Sequence, residues 1–189
     1  MYKQIFLKRG KEESLKRFHP WIFSGAIHHM DEGIEEGETV RVITAAGEFI
    51  AVGHYQIGSI AVRVLSFEDI EINTDFWCER LQSALDVRIG VGIADSPTNN
   101  TYRLVHGEGD YLPGLVIDCY GSTAVMQAHS VGMHVCRNEI CQALVQVMGD
   151  RIANVYYKSE TTLPYKADLH QENGFLVGGD ASNVAMENG

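Results

Sequence analysis

Cationic side chains are followed closely by aromatic ones in the segment from residue 8 to residue 21. Its candidate contacts are Lys8, Arg9, Lys11, Lys16, Arg17, His19 and Trp21. Lysine and arginine donate hydrogen bonds to phosphate oxygens, and aromatic rings stack on nucleic-acid bases. The segment is therefore a candidate nucleic-acid interface. The alternative is a solvated face whose charges pair with one another, with Trp21, Ile22 and Phe23 as core residues.

A second group of polar side chains lies in "HGEGDYLPGL", residues 106–115. In a strand, His106, Glu108 and Asp110 would share one face and could form a metal or general-acid site. Three glycines and a proline in so short a stretch favour turns instead, with Asp110 accepting backbone hydrogen bonds. We therefore predict turns and no metal site.

No motif for phosphate binding or covalent catalysis accompanies these residues. The sequence contains no G-x-G-x-x-G after a strand, no Walker lysine loop, no H-E-x-x-H and no nucleophile elbow. The cysteines are Cys78, Cys119, Cys136 and Cys141. They form no CxxC pair, and we predict reduced, mostly buried thiols. No catalytic centre is expected within this chain.

The charge of the 189-residue chain is unevenly distributed. The formal net charge is -10, yet the first 28 residues carry six basic and two acidic side chains. This asymmetry predicts one basic face on an acidic body, which would steer an anionic partner toward the N-terminal region. The sequence has no apolar run of membrane-spanning length and no secretory leader, so a cytoplasmic protein without a membrane partner is expected.

Two modules are predicted to position these residues. In the first, "IFLKRG" favours an edge strand and "KEESLKRF" one or two helical turns, with Glu12/Lys16 and Glu13/Arg17 as ion pairs. Three Val- and Ile-rich strands follow, and together they predict a small β-barrel: "ETVRVIT", "EFIAVGHYQ" and "SIAVRVLSF". The acidic stretch at residues 68–74 is the predicted boundary.

The second module is predicted to be α+β. Its first helix spans residues 75–88, is capped by Asn73 or Thr74, and places four residues on one face: Trp77, Leu81, Ala84 and Leu85. Extended segments separate it from a second helix, residues 132–148, which Gly149 ends. The second helix has a predicted apolar stripe of Met133, Cys136, Ile140, Leu144 and Val147.

The chain closes on "SNVAMENG", in which Asn-Gly is a strong hairpin signal without a returning strand. Two interpretations remain open at this point. The last residues form a frayed tail, or the sequence is cut in the middle of a larger structure.

Three motifs together resemble a known family: "LKRGKEESLKRFHPWIFSGAI", "GEFIAVGHYQIGSIAVRVLSF" and "GEGDYLPGLVIDCYG". They are similar to the N-terminal half of the bacterial ribosomal RNA large subunit methyltransferase I family. These S-adenosylmethionine (SAM)-dependent enzymes modify a cytosine C5 of 23S rRNA. The similarity extends over essentially the whole chain. Two departures are Gln56-Ile57-Gly58 in the barrel and Cys119 where relatives often have arginine.

The resemblance implies an α+β fold with two domains. A PUA-type RNA-binding pseudobarrel would occupy residues 1–70, and a central α+β domain would occupy residues 71–189. The Rossmann-like methyltransferase domain would be absent, so the chain would be a fragment cut at the catalytic boundary, near Glu187-Asn188-Gly189.

The same resemblance implies how the function is divided. The chain would bind large-subunit ribosomal RNA and position the substrate, while the parent enzyme would bind SAM and carry the catalytic cysteine. This fragment alone would have no cofactor and no catalytic residue. A homo-oligomeric parent is compatible with the sequence. The alternative is a stand-alone PUA-type RNA-binding or adaptor protein.

Overall fold

The chain forms two compact units, each with its own β-sheet. The computed structural model describes residues 2–164, 169, 171–179, 184–187 and 189. One unit comprises Met1–Glu71 with Ser130–Gly132, and the other comprises Ile72–His129 with Met133–Gly189. No helix in these described stretches is both long and apolar enough to cross a bilayer.

The first unit contains one six-stranded sheet, in the order β2-β6-β5-β4-β1-β3. Its strands are β1 (Lys3–Leu7), β2 (Trp21–Phe23), β3 (Ile27–Met30), β4 (Thr39–Ile43), β5 (Phe49–Tyr55) and β6 (Ile60–Ser66). The three predicted Val- and Ile-rich strands are confirmed as β4, β5 and β6. Their inward residues, with Ile5 and Leu7 of β1, form the core of this unit.

The prediction of an edge strand at residues 5–10 was wrong. Strand β1 lies inside the sheet, antiparallel to β3 and parallel to β4. Ile5 and Leu7 are almost fully buried, with 0% and 1% of their surfaces exposed. A parallel partner more than thirty residues away leaves no local signal in the sequence.

The helix predicted at residues 11–18 is reduced to a single 3-10 turn, Leu15–Arg17. Phe18 ends it in the left-handed region, with φ of 61°. Leu15 is the turn's only buried residue, so no second apolar position extends the helix against the core. The ion pair that forms is Lys16 to Glu13, at 2.8 Å and three residues apart, instead of the two predicted pairs.

The second unit contains a five-stranded sheet, in the order β11-β10-β9-β8-β7. Its strands are β7 (Thr101–His106), β8 (Leu115–Tyr120), β9 (Thr123–Ala128), β10 (Asn154–Tyr157) and β11 (Gly174–Val177). Helix α1 (Thr74–Gly90) precedes them, and Asn73 caps it by accepting a hydrogen bond from the Phe76 amide at 3.1 Å. The four residues predicted on one face of α1 are all buried.

The helix predicted at residues 132–148 is divided in two, α2 (Val131–Val135) and α3 (Arg137–Met148). The predicted apolar stripe across the two helices holds only in part. Met133, Ile140 and Leu144 are buried, whereas Cys136 and Val147 are partly exposed. Gly149 ends α3 with φ of 52°, as predicted. Helix α3 packs against α1.

The final residues are described only in part. The predicted turn in "SNVAMENG" includes Ser182, Asn183 and Asn188, which lie outside the described residues. Met186 accepts a hydrogen bond from the Asn100 amide at 2.9 Å, and the Gly189 amide donates to the Thr98 carbonyl at 2.9 Å. The described part of this tail therefore lies against the loop at residues 98–100.

Candidate nucleic-acid interface

Strand β2 presents two aromatic side chains to solvent. Ile22 points into the core and is 3% exposed, whereas Phe23 is 49% exposed and Trp21 is half-buried. This alternation follows from the two-residue period of a strand. The alternative in which all three are core residues is therefore wrong, because only Ile22 is buried.

His19, Trp21 and Phe23 form one aromatic cluster on this surface. The ring centroid of Trp21 lies 5.9 Å from that of His19 and 6.5 Å from that of Phe23, both in edge-to-face geometry. The Trp21 amide donates a hydrogen bond to Nδ1 of His19 at 3.2 Å. Edge-to-face contacts hold aromatic rings in defined orientations while leaving part of each face open.

Trp21 and Phe23 line a cleft of about 300 Å³ in the first unit. Its full lining is Lys11, Ser14, Leu15, Trp21, Ile22, Phe23, Gly25 and Ala26. Lys11 is exposed, and its ammonium group makes no hydrogen bond or ion pair with any residue that the structure describes. The cleft therefore combines aromatic walls with one available cation, which is the chemistry that binds a base and its phosphate.

Lys8 and Arg9 lie at the end of β1 and line a separate cavity. Both side chains are exposed. The Lys8 ammonium donates a hydrogen bond to the Gly25 carbonyl at 2.9 Å, which holds it near the cleft. The structure therefore divides four of the predicted contacts between two concave surfaces: Lys8 and Arg9 line one, and Lys11 and Trp21 line the other.

Lys16 and Arg17 lie on the 3-10 turn and line neither cavity. Lys16 pairs with Glu13, and this hydrogen bond raises the pKa of Lys16 and lowers the pKa of Glu13. Both groups are solvent-exposed, so the pair adds little to stability. Arg17 also remains on the surface.

Two exposed phenylalanines were missing from the predicted contacts. Phe23 was detectable, because "WIF" in a strand that buries its middle residue must expose the other two. Phe18 is 70% exposed, and its ring meets Phe67 edge to face at 5.2 Å. Its left-handed backbone, which non-glycine residues seldom adopt, had no signal in the sequence.

The predicted turn at residues 106–115 is confirmed. Gly107–Asp110 form a 3-10 turn in which Asp110 accepts a hydrogen bond from the His106 amide at 2.6 Å. Both carboxylate oxygens of Asp110 also pair with Arg88, one of them at 2.8 Å. Within the described ranges there is no group of three or more side chains suited to hold a metal ion. His106, Glu108 and Asp110 therefore do not converge on one site.

The four cysteines are free thiols, two of them buried and two partly buried, as predicted. Burial raises the pKa of Cys119 and of Cys136 to about 12. Burial also raises the pKa of Cys78 and of Cys141. Nucleophilic cysteines have lowered pKa values, so these environments oppose thiolate formation.

The described residues do not fit a dinucleotide-type cradle for SAM. Such a cradle needs a parallel strand followed by a glycine-rich loop and a helix. The parallel strands β9 and β10 are joined through α2 and α3, but residues 129–130 between β9 and α2 are His and Ser. The glycine-rich turn at Gly107–Asp110 joins two antiparallel strands instead.

Comparison with known proteins shows a PUA-like domain and similarity to one group of bacterial proteins. Residues 5–67 match the family model of a PUA-like domain. The whole chain is 39% identical over 192 residues to ribosomal RNA large subunit methyltransferase I of Vibrio parahaemolyticus, and it covers 47% of that protein. The protein of the same name from Klebsiella pneumoniae is 35% identical over 180 residues. By sequence, the chain is homologous over its whole length to part of the proteins named ribosomal RNA large subunit methyltransferase I.

Relatives in the methyltransferase I family are longer than this chain. The Aliivibrio fischeri protein is 36% identical over 193 residues. The chain covers 48% of that protein, which is again less than half. The chain spans about half the length of the curated relatives that it matches. The activity of these longer relatives is therefore proposed, and not shown, for this chain.

Solved structures show the same fold at lower sequence identity. A Streptococcus mutans protein described as a SAM-dependent methyltransferase has a TM-score of 0.78 and 21% identity. The match covers 98% of this chain and 46% of that protein. Another structure, described as a methyltransferase complexed with SAH, has a TM-score of 0.77. The chain is thus a mixed α+β protein with an N-terminal PUA-like domain.

Proposed function

We propose that this chain is the RNA-binding and substrate-positioning part of a SAM-dependent methyltransferase that modifies a cytosine C5 of 23S rRNA in the cytoplasm. Similarity over the whole chain to proteins named ribosomal RNA large subunit methyltransferase I supports the reaction. The observation that carries the binding role is the cleft formed by Lys11, Trp21 and Phe23 within the PUA-like match. The catalytic domain and SAM would belong to the part of the relatives that this chain does not span.

The proposed boundaries follow the sequence. Residues 1–70 would form the RNA-binding module, and residues 71–189 a central α+β domain between it and the catalytic domain.

Structured RNA presents few readable base edges in its helices, so an RNA-binding module of this type gains most from an unpaired, unstacked nucleotide.

The cleft would act by positioning. An unpaired base would stack on the exposed rings of Trp21 and Phe23, while Lys11 would neutralise a neighbouring phosphate. Strand β2 fixes these rings because it pairs with β6, with Trp21 opposite Arg63. A base held on a rigid strand sets the register of the RNA, and the target cytosine would be presented at a defined distance.

The test is RNA binding measured by fluorescence anisotropy at several salt concentrations, with a labelled 23S rRNA fragment. Trp21→Ala should weaken binding by about 1–3 kcal/mol, because one stacking platform is lost. Phe175→Ala is a matched control, since Phe175 is another exposed aromatic residue on a strand but lies in the second unit. Equal affinities for wild type and Trp21→Ala would exclude the cleft as the binding site.

The proposed division of labour has a separate test. Isothermal titration of this chain with SAM should give no binding heat, because the cofactor site would lie elsewhere in the parent. Tight SAM binding would contradict that assignment, whatever the RNA experiment gives.

A further inference from the structure

We propose a second nucleotide-binding site in the first unit, next to the cleft, formed by His29 and Phe6 with Lys8 and Arg9. It would hold the nucleotide that neighbours the one in the cleft, with its base on the His29 ring and its phosphate at Arg9. This inference rests on the proposed RNA-binding function and adds the requirement for a single-stranded segment of adjacent nucleotides.

A preformed stack of rings provides the platform. Phe6 and His29 lie opposite each other on β1 and β3, and their rings stack at 4.2 Å with an angle of only 9° between the planes. His28 meets His29 edge to face at 5.1 Å. His28 and His29 are exposed, whereas Phe6 is partly buried beneath. A planar base can extend such a stack, which is how single-stranded nucleic acid is commonly held.

The cavity around this stack suits an anionic ligand. It has a volume of about 640 Å³ and is lined by Phe6, Leu7, Lys8, Arg9, His28, His29, Thr44, Ala45, Ala46 and Gly47. No lining residue is a carboxylate, and two are cations. The Arg9 guanidinium makes no hydrogen bond or ion pair with residues in the described part of the chain. It can therefore contact a phosphate without breaking an existing interaction.

A tight turn, residues 44–47, contributes another part of the cavity's lining. The Thr44 hydroxyl accepts hydrogen bonds from the amides of Ala46, at 3.3 Å, and Glu48, at 3.2 Å. Gly47 has φ of 85°, which a glycine adopts without strain. The small side chains of this turn leave room for a base-sized ring, and the internal hydrogen bonds hold the wall in place.

The two sites are adjacent, which is what consecutive nucleotides require. The Lys8 amide donates a hydrogen bond to the Ala26 carbonyl at 2.8 Å, and the Lys8 ammonium donates to the Gly25 carbonyl at 2.9 Å. Gly25 and Ala26 line the cleft, whereas Lys8 lines the cavity. These two hydrogen bonds thus join a residue that lines the cavity to two residues that line the cleft.

The experiment measures affinity against RNA length. Single-stranded RNA oligonucleotides, lengthened one nucleotide at a time, are titrated against wild type and His29→Ala by fluorescence anisotropy. Wild-type affinity should rise in two steps, as each site is filled. His29→Ala should lose only the second step, which amounts to roughly 5- to 100-fold on the longer RNAs. Binding of the shortest RNAs should be unchanged.

A second variant removes the charge and leaves the rings in place. Arg9→Gln should lower the slope of log affinity against log salt by about 1 on the longer RNAs alone. The matched controls are His106→Ala and Lys158→Ala, which change an exposed histidine and an exposed lysine of the second unit. Neither control should alter the length dependence, and circular dichroism melting should show each variant folded.

The outcomes separate the two proposals. If Trp21→Ala weakens RNA binding but His29→Ala and Arg9→Gln follow the wild-type length dependence, the second site is wrong and the proposed function stands. If wild type binds no RNA of any length, the proposed function fails, and the second site fails with it. Loss of the second step in both variants, and in neither control, supports the second site.

Discussion

Both units pair some of their cationic side chains with carboxylates, but the first unit also leaves Arg9 and Lys11 available at its concave surfaces. Three arginines of the second unit are paired with carboxylates: Arg88 with Asp110, Arg103 with Asp118, and Arg151 with Asp95. In the first unit, Arg9 and Lys11 have no such partner among the described residues. Net charge alone therefore does not locate an anion-binding surface. What matters is whether a cation is already neutralised by its own fold.

The largest expected effect comes from breaking the most buried of the second unit's pairs. Arg88 and Asp110 have side chains only 12% and 8% exposed. Asp110→Ala leaves a buried guanidinium without its partner, so the free energy of unfolding should fall by about 3–5 kcal/mol. Urea unfolding followed by circular dichroism measures this change.

The control for Asp110→Ala is Asp86→Ala, on the same unit. Asp86 is exposed and accepts one hydrogen bond from the Gln82 side chain at 2.8 Å. Its removal should leave the urea midpoint nearly unchanged. Similar losses in the two variants would mean that burial of the Arg88–Asp110 pair is not what stabilises the unit.

The next largest expected effect is a pH dependence of stability that arises from the buried, neutral His54 of the first unit. Burial, and to a smaller extent the charge of Arg63, lowers the pKa of His54 to about 4. The unfolded chain takes up this proton below about pH 6.5, whereas the folded chain does so only near pH 4. The neutral, buried His54 therefore contributes its full share of the free energy of unfolding above pH 6.5. This contribution is lost as the pH falls toward 4, and the loss is about 3 kcal/mol.

His54→Gln isolates this contribution because glutamine does not titrate. The difference in unfolding free energy between wild type and His54→Gln should shift by that amount between pH 7 and pH 4. Urea unfolding at a series of pH values gives both curves. Parallel pH dependences in the two proteins would show that His54 titrates alike in the folded and unfolded states.

A smaller effect distinguishes available from neutralised cations in RNA binding. Lys11→Ala should reduce the slope of log affinity against log salt by about 1, because one phosphate contact is lost. Arg103→Ala should leave the slope unchanged, since Arg103 already pairs with Asp118 at 2.8 Å. If the two variants changed the slope equally, internal pairing would not be what decides which cations bind RNA.

The sequence predicted well the helices and strands that have a periodic apolar pattern. It predicted poorly the features that depend on contacts between residues distant in sequence. Strands β4 to β6 and the buried face of α1 follow from periodicity, which is local. The interior position of β1 depends on a parallel partner distant in sequence, and the break at Cys136 occurs without a proline or glycine at that position. Neither leaves a local pattern.

The candidate interface was predictable in composition but not in arrangement. The sequence identified Lys11 and Trp21, yet only the fold places them in one cleft with Phe23. The stacking of Phe6 on His29 joins residues 23 positions apart, on strands whose pairing was not predicted. Charge and aromaticity are properties of single residues, whereas a binding surface is a property of strand register.

The smallest expected effect tests the intermediate case, a cation that is paired but exposed. Lys16 contacts Glu13 at 2.8 Å, and both side chains are more than half exposed. Glu13→Gln removes one negative charge beside the candidate interface, so RNA affinity should rise by roughly two- to threefold at low salt. Anisotropy titrations at low and high salt measure the change, and high salt should abolish it. In a Lys16→Gln background the same substitution should produce a similar rise if Glu13 acts by repelling RNA. The substitution should produce no rise if Glu13 acts by occupying Lys16. That outcome would mean that an exposed ion pair, like a buried one, keeps its cation from binding RNA.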